Sequence, residues 1–240
     1  MAERRDLGMV DASLRTPRAA AVSGLIFSAL LIVSLSLITV SAPHRVTATG
    51  TWLMNTHKRE AFKVALGLIP FAGIAFLWFI GVVRDRVGDL EDRFFATVFL
   101  GSGLLFVGML FVAAAFGSAI IADIELHAAG ARSSATIAQG RQVSFILIHD
   151  YALRMAGVFT MSTATILHRT KVAPRWLAAC GFVVAAVLIL AVGLSPWLEL
   201  LFPAWIGLLS IETLRRTMSV SSTTPRAAGV QERRSDAPFE

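Results

Sequence analysis

AFKVALGLIPFAGIAFLWFIGVV, residues 61–83, is an apolar run long enough to cross about 30 Å of hydrocarbon, which takes about 20 helical residues. It lacks the apolar–polar alternation of a barrel strand, and backbone polar groups cannot stay unpaired in lipid, so a helix is the remaining option. Five more such runs lie at residues 19–41, 94–121, 143–167, 176–194 and 197–214. The fold class that follows is all-α, a polytopic membrane helix bundle with six transmembrane helices. Only Ser195 and Pro196 separate the last two runs, which predicts a tight helical hairpin.

Composition points the same way. Of 240 residues, 55% are hydrophobic and 16% charged, and the mean hydropathy of +0.69 exceeds that of water-soluble domains. The formal charge of +6 does not imply nucleic acid, because lysines and arginines fall between apolar runs instead of sharing one face with aromatic residues. The expected partner is the lipid bilayer. Cys180, the single cysteine, sits inside an apolar run; it excludes an intrachain disulfide and reads as a small buried hydrophobe.

Positive charge sets the orientation. With the N-terminus inside, Arg4, Arg5, Arg15, Arg18, Arg84, Arg86, Arg93, Arg169, Lys171, Arg175 and the five basic residues from Arg215 onward are cytoplasmic, fifteen in all. Six lie outside: Arg45, Lys58, Arg59, Lys63, Arg132 and Arg141. That excess places both termini in the cytoplasm. The group at 58–63 is explained by side chains snorkelling to headgroups, with Trp52 as an interfacial anchor. Arginines ahead of the first run and Val40-Ser41-Ala42 after it resemble a secretory signal, but the apolar region is too long and Pro43 follows the cut, so the run is read as a retained helix. Residues 1–18 and 217–240 are polar, rich in small residues and without apolar periodicity, and are expected to be disordered cytoplasmic ends around a six-helix domain at 19–216.

No internal repeat relates the two halves, so the inverted-repeat signature of many transporters is missing. Gly73 with Gly81, Ala113 with Gly117, and Gly181 with Ala185 are spaced for close helix approach. Pro70 is expected to kink the second helix. In RDRVGDLEDRFF, residues 84–95, mixed charges predict a short inner loop with local pairing.

The fourth run carries polar residues where lipid disfavours them: HDYALR, residues 149–154. Arg154 falls near the bilayer middle, and facing lipid there costs about 2.5 to 3.5 kcal/mol on insertion scales. Asp150 precedes it by four residues, so the two meet on one helix face, with Leu147, Tyr151, Val158, Met161 and Thr165 along the same stripe. His149 points about 100° away, toward another neighbour. The third run ends in Asp123, Glu125 and His127, and Glu199 opens the sixth, so a polar cluster in the outer half of the bundle is expected from His149, Asp150, Tyr151 and Arg154 with those four as contributors.

Three function classes fit. The first is a small transporter, channel or ligand-binding membrane protein in which Asp150 and His149 exchange protons or bind an ion while Arg154 holds an anionic group. The second is an intramembrane metal-dependent hydrolase in which His127, His149 and the carboxylates Asp123, Glu125 or Asp150 bind a metal that activates water, although no HExxH or other strict metal spacing occurs and the cofactor is left unassigned. The third is an accessory subunit whose charged stripe docks a homo-oligomer or membrane-protein partner. Gly101-Ser102-Gly103 matches a rhomboid-type serine motif poorly, and the late HxxxH of alkaline ceramidase-like hydrolases is missing.

LIPFAGIAFLWFIGVVRDRVGDLEDRFFATVFLGSGLLFVGMLF, residues 68–111, with YALRMAGVFTMSTATILHRT, residues 151–170, resembles uncharacterised multi-pass membrane proteins of high-GC Gram-positive bacteria. The resemblance runs from the second to the sixth helix. It implies a cytoplasmic-membrane location and topology, and no activity.

Overall fold

The computed structural model describes residues 3–41, 55–87, 93–126, 134–171, 173–191 and 195–221. Those residues form α1 (Glu3–Ser41), α2 (Thr56–Val87), α3 (Arg93–Leu126), α4 (Ser134–Ile146), a π-turn (Leu147–Ala152), α5 (Leu153–Thr170), α6 (Arg175–Leu190), a 3-10 turn (Pro196–Leu200) and α7 (Leu201–Ser221). The π-turn joins α4 and α5 without interruption, so the described residues make six helical passes and no strand. Five passes are long and apolar enough to cross a membrane: Arg18–Ser41, Thr56–Arg84, Phe94–Glu125, Ala138–Thr170 and Trp197–Met218. The sixth, α6, has 16 residues, about 24 Å of helix and short of a full hydrocarbon span.

The helical ends run past the expected boundaries. Backbone helix begins at Glu3, ahead of the domain start expected at residue 19, and α7 continues to Ser221, beyond the tail boundary expected at 217. The remainder of that tail, residues 88–92 of the inner loop, and Trp52 lie outside the described residues.

Neighbouring passes are antiparallel. Ser34 of α1 donates its hydroxyl to the Ala65 carbonyl of α2 at 2.8 Å. Gly24, nearer the start of α1, meets Phe79, nearer the end of α2. The same crossing relates α3 to the fourth pass, where the Ser144 hydroxyl donates to the Ala113 carbonyl at 2.9 Å and Gly103 meets Phe159. Gly157 packs on Ile189, Gly181 on Ala164, and the Trp205 indole donates to the Leu177 carbonyl at 3.2 Å, joining α5 to α6 and α6 to α7. Contacts between α1 and α7 close the ring.

Phenylalanines fill the middle of that ring. Phe76 of α2 lies 4.5 Å from Phe27 (α1), 5.5 Å from Phe106 (α3), 5.0 Å from Phe159 (α5) and 5.7 Å from Phe202 (α7), centroid to centroid. All five are essentially sealed from the surface. The tilted and edge-on geometries are those that aromatic quadrupoles favour. Outward faces are apolar too: Trp78, Phe71, Val183 and Leu190 are exposed at 69%, 64%, 64% and 83%. So much exposed apolar surface, on helices this long, marks a membrane protein.

Small residues divide by whether a neighbour uses the space. A side chain added at Gly181 would lie 2.7 Å from the Trp205 ring and 2.9 Å from the Ala164 methyl. Gly73 is covered by Phe111 and Gly117 by Leu66. Gly81, expected to share the packing face of Gly73, has open space around it. Pro70 sits inside a helix that continues unbroken on either side.

Candidate functional site

The polar segment of the fourth pass is itself the irregularity in that helix. Leu147-Ile148-His149-Asp150-Tyr151-Ala152 forms the π-turn, and the Leu153 amide donates to the Ile148 carbonyl five residues back. A π-turn holds one more residue than an α-turn, and such turns are frequent at functional positions. The wider turn spreads the polar side chains. Ile148 and Ala152 are buried, while Asp150 and Tyr151 are exposed.

His149 turns into the bundle. Its Nε2 is 2.5 Å from Oε1 of Glu199, and the two side chains are only 13% and 6% exposed. Glu199 comes from the 3-10 turn before α7, so this contact joins the fourth and sixth passes. The carboxylate lies close to Nε2 but off the ring N–H axis, because Nε2 has no aligned hydrogen-bond partner. The contact is therefore a close polar pair and not a straight hydrogen bond. On the other side of the ring, Nδ1 lies 3.0 Å from the Phe145 carbonyl. A carbonyl only accepts, which assigns the Nδ1 proton. Phe145 also stacks on the imidazole at 3.8 Å between centroids. The ring is thus held by a carbonyl, an aromatic face and a buried carboxylate.

Asp150 and Arg154 pair as their spacing predicts. Arg154 Nη1 donates to Asp150 Oδ1 at 3.0 Å, and also to the Asp150 main-chain carbonyl. Their location departs from expectation. The side chains are 51% and 42% exposed, and Tyr151 beside them is 54% exposed, so the pair faces away from the bundle and not into a shared interior cluster. Local pairing lowers the cost of an outward position, and the π-turn directs His149 inward instead.

The acidic end of α3 goes elsewhere. Glu125 pairs with Lys63 of α2, which also reaches Glu60 at 3.2 Å, and Asp123 is half-buried near that end. His127 lies outside the described residues. The third pass packs against the fourth as expected, but Glu125 turns to Lys63 while the polar contact made by the fourth pass is that of His149 with Glu199 of the sixth. Spacing alone misses the Lys63–Glu125 link, because its partners belong to different helices. The same applies to Arg169, read as a loop charge, whose guanidinium lies 4.7 Å from the Phe95 ring centroid. Glu212, by contrast, accepts from Arg216 Nε at 2.8 Å on its own helix.

Among the described residues no three His, Cys, Asp or Glu side chains gather to hold a metal. A catalytic zinc site takes three protein ligands, whereas His149 and Glu199 supply two. A groove of about 700 Å³ lies between α1 and α2, away from the polar pair, lined by apolar side chains such as Ile26, Phe71 and Trp78. Its one hydroxyl, on Ser23, is 3.0 Å from the Ala20 carbonyl and donates to it. No family model, curated protein or solved structure matches the chain.

Proposed function

We propose that the chain is a small transport or ligand-binding protein of a bacterial cytoplasmic membrane, with both termini inside, whose His149–Glu199 pair takes up and releases a proton. The observation that supports this reading is the burial of an imidazole and a carboxylate against each other, the imidazole carried by the π-turn itself. Ionisable groups inside a membrane are expensive and usually functional, and imidazole is the side chain whose charge changes near neutral pH. A proton between Nε2 and Oε1 moves over a short distance, and Nδ1 stays committed to the Phe145 carbonyl while it does. Passage through the bundle requires the five central phenylalanines to separate, so transport couples protonation to a rearrangement around Phe76. The excess of lysine and arginine in the proposed inner segments supports the orientation. The resemblance of residues 68–111 and 151–170 supports the membrane assigned.

Reconstitution into vesicles loaded with a pH-sensitive dye tests the reading. After an external acid pulse, wild-type vesicles should acidify several-fold faster than vesicles carrying His149→Gln or Glu199→Gln. Equal rates in all three, at equal protein incorporation, remove the proton-handling role.

A second reading, an accessory subunit or oligomer, is favoured by a different observation. Asp150, Tyr151 and Arg154 form a polar face exposed on the outside of the bundle. Such a face within an apolar span fits a membrane-protein partner better than lipid.

A further inference from the structure

The outward face of the fourth pass is self-complementary. Arg154 lies midway along the candidate span Ala138–Thr170, the depth at which a charge is least tolerated by hydrocarbon. Its guanidinium offers five N–H groups, and among the described residues only Nη1 is engaged, by Asp150. Asp150 engages Arg154 through Oδ1, and among the described residues neither its Oδ2 nor the exposed Tyr151 hydroxyl forms a hydrogen bond. Unused donors therefore stand beside unused acceptors, on a patch with no net charge, where lipid supplies partners to neither.

We propose that this face is the contact between two copies of the chain, a two-fold interface in which Arg154 of each copy reaches Asp150 of the other. The inference rests on the docked-face reading above and names its occupant. Charge complementarity and depth select a second copy. A copy inserted with the same topology carries the same acid and base at the same depths, so about a two-fold axis along the membrane normal each Arg154 lies one helical turn along the axis from the other copy's Asp150. The charges are about 6 Å apart along the helix, within reach of the arginine stem. Any other partner would have to bring its own matched pair at that level. Val158 and the exposed Met161 extend the face with apolar surface farther along the helix.

Two measurements on the full chain test this. In a Cys180→Ala background, Tyr151→Cys should cross-link copies in native membranes to a species of twice the mass, while Val33→Cys, exposed at 48% on α1, should not. In detergent or vesicles, Asp150→Arg alone and Arg154→Asp alone should each self-associate about ten-fold more weakly than wild type, because each sets like charges across the interface. Co-expressed, the two variants should associate with each other, because one carries two arginines and the other two aspartates. A role confined to the pair within one helix predicts no such rescue. A cross-link from Tyr151→Cys to a different membrane protein overturns the second copy and keeps the docked face. Monomeric mass with no cross-link at all overturns both.

Discussion

Glu199 is buried beside an imidazole whose other nitrogen is already committed, so truncating it leaves a polar atom inside the bundle without its neighbour. Glu199→Ala should lower stability by about 1 to 3 kcal/mol, the usual result of orphaning a buried polar group. Thermal unfolding in detergent checks it. Glu199→Gln, which restores an oxygen and the side-chain volume, should recover most of the loss, and an unchanged midpoint in Glu199→Ala would make the contact incidental. The Asp150–Arg154 pair differs although it adjoins His149 in sequence. Its partners are about half exposed and belong to one helix, so their pairing needs no neighbouring pass. The pairing was legible from the four-residue spacing. The direction in which it faces was not, because spacing relates residues on one helix and says nothing of which helices cover that face.

At the scale of the element, the π-turn decides what the fourth pass presents. It adds a residue between α4 and α5, which a plain helix would not need in order to keep its packing phase. Deleting Leu147 should therefore be tolerated, turning residues 146–152 into regular α-helix with both flanking helices in register. Deleting Met161, from the regular part of α5, rotates everything after it by about 100°. The first deletion should unfold within a few degrees of wild type and lose the proton response that depends on His149. The second should fail to express or unfold far earlier. Similar losses from both would mean that the extra residue has no special tolerance. Sequence periodicity placed a helix here but assumed 3.6 residues per turn throughout, so the hydrogen-bond shift to five residues was invisible to it.

The whole molecule is a ring of antiparallel passes closed by α1 against α7 and plugged by phenylalanine. Phe76 touches the ring of every other member of that plug. Phe76→Ala opens a cavity where five helices meet and should cost about 3 to 5 kcal/mol, read as a lowered unfolding midpoint. Phe71→Ala, on the exposed side of the same helix, should change it by well under 1 kcal/mol. Equal effects would mean that the plug does not hold the passes together. The plug also joins stability to the proposed activity, since the same five rings must part for anything to cross.

Hydrophobic length by itself determined the class of this protein: an apolar run that cannot leave backbone groups unpaired in lipid has to be a helix, and that holds without reference to any other run. Local spacing likewise determined the Asp150–Arg154 pair, because its geometry belongs to a single helix. Only the tertiary structure decided that His149 meets Glu199, that Lys63 meets Glu125, and that Asp150 and Arg154 face outward. Each of those depends on which passes are neighbours and how they are rotated, quantities set by the packing of small residues and phenylalanines across the bundle.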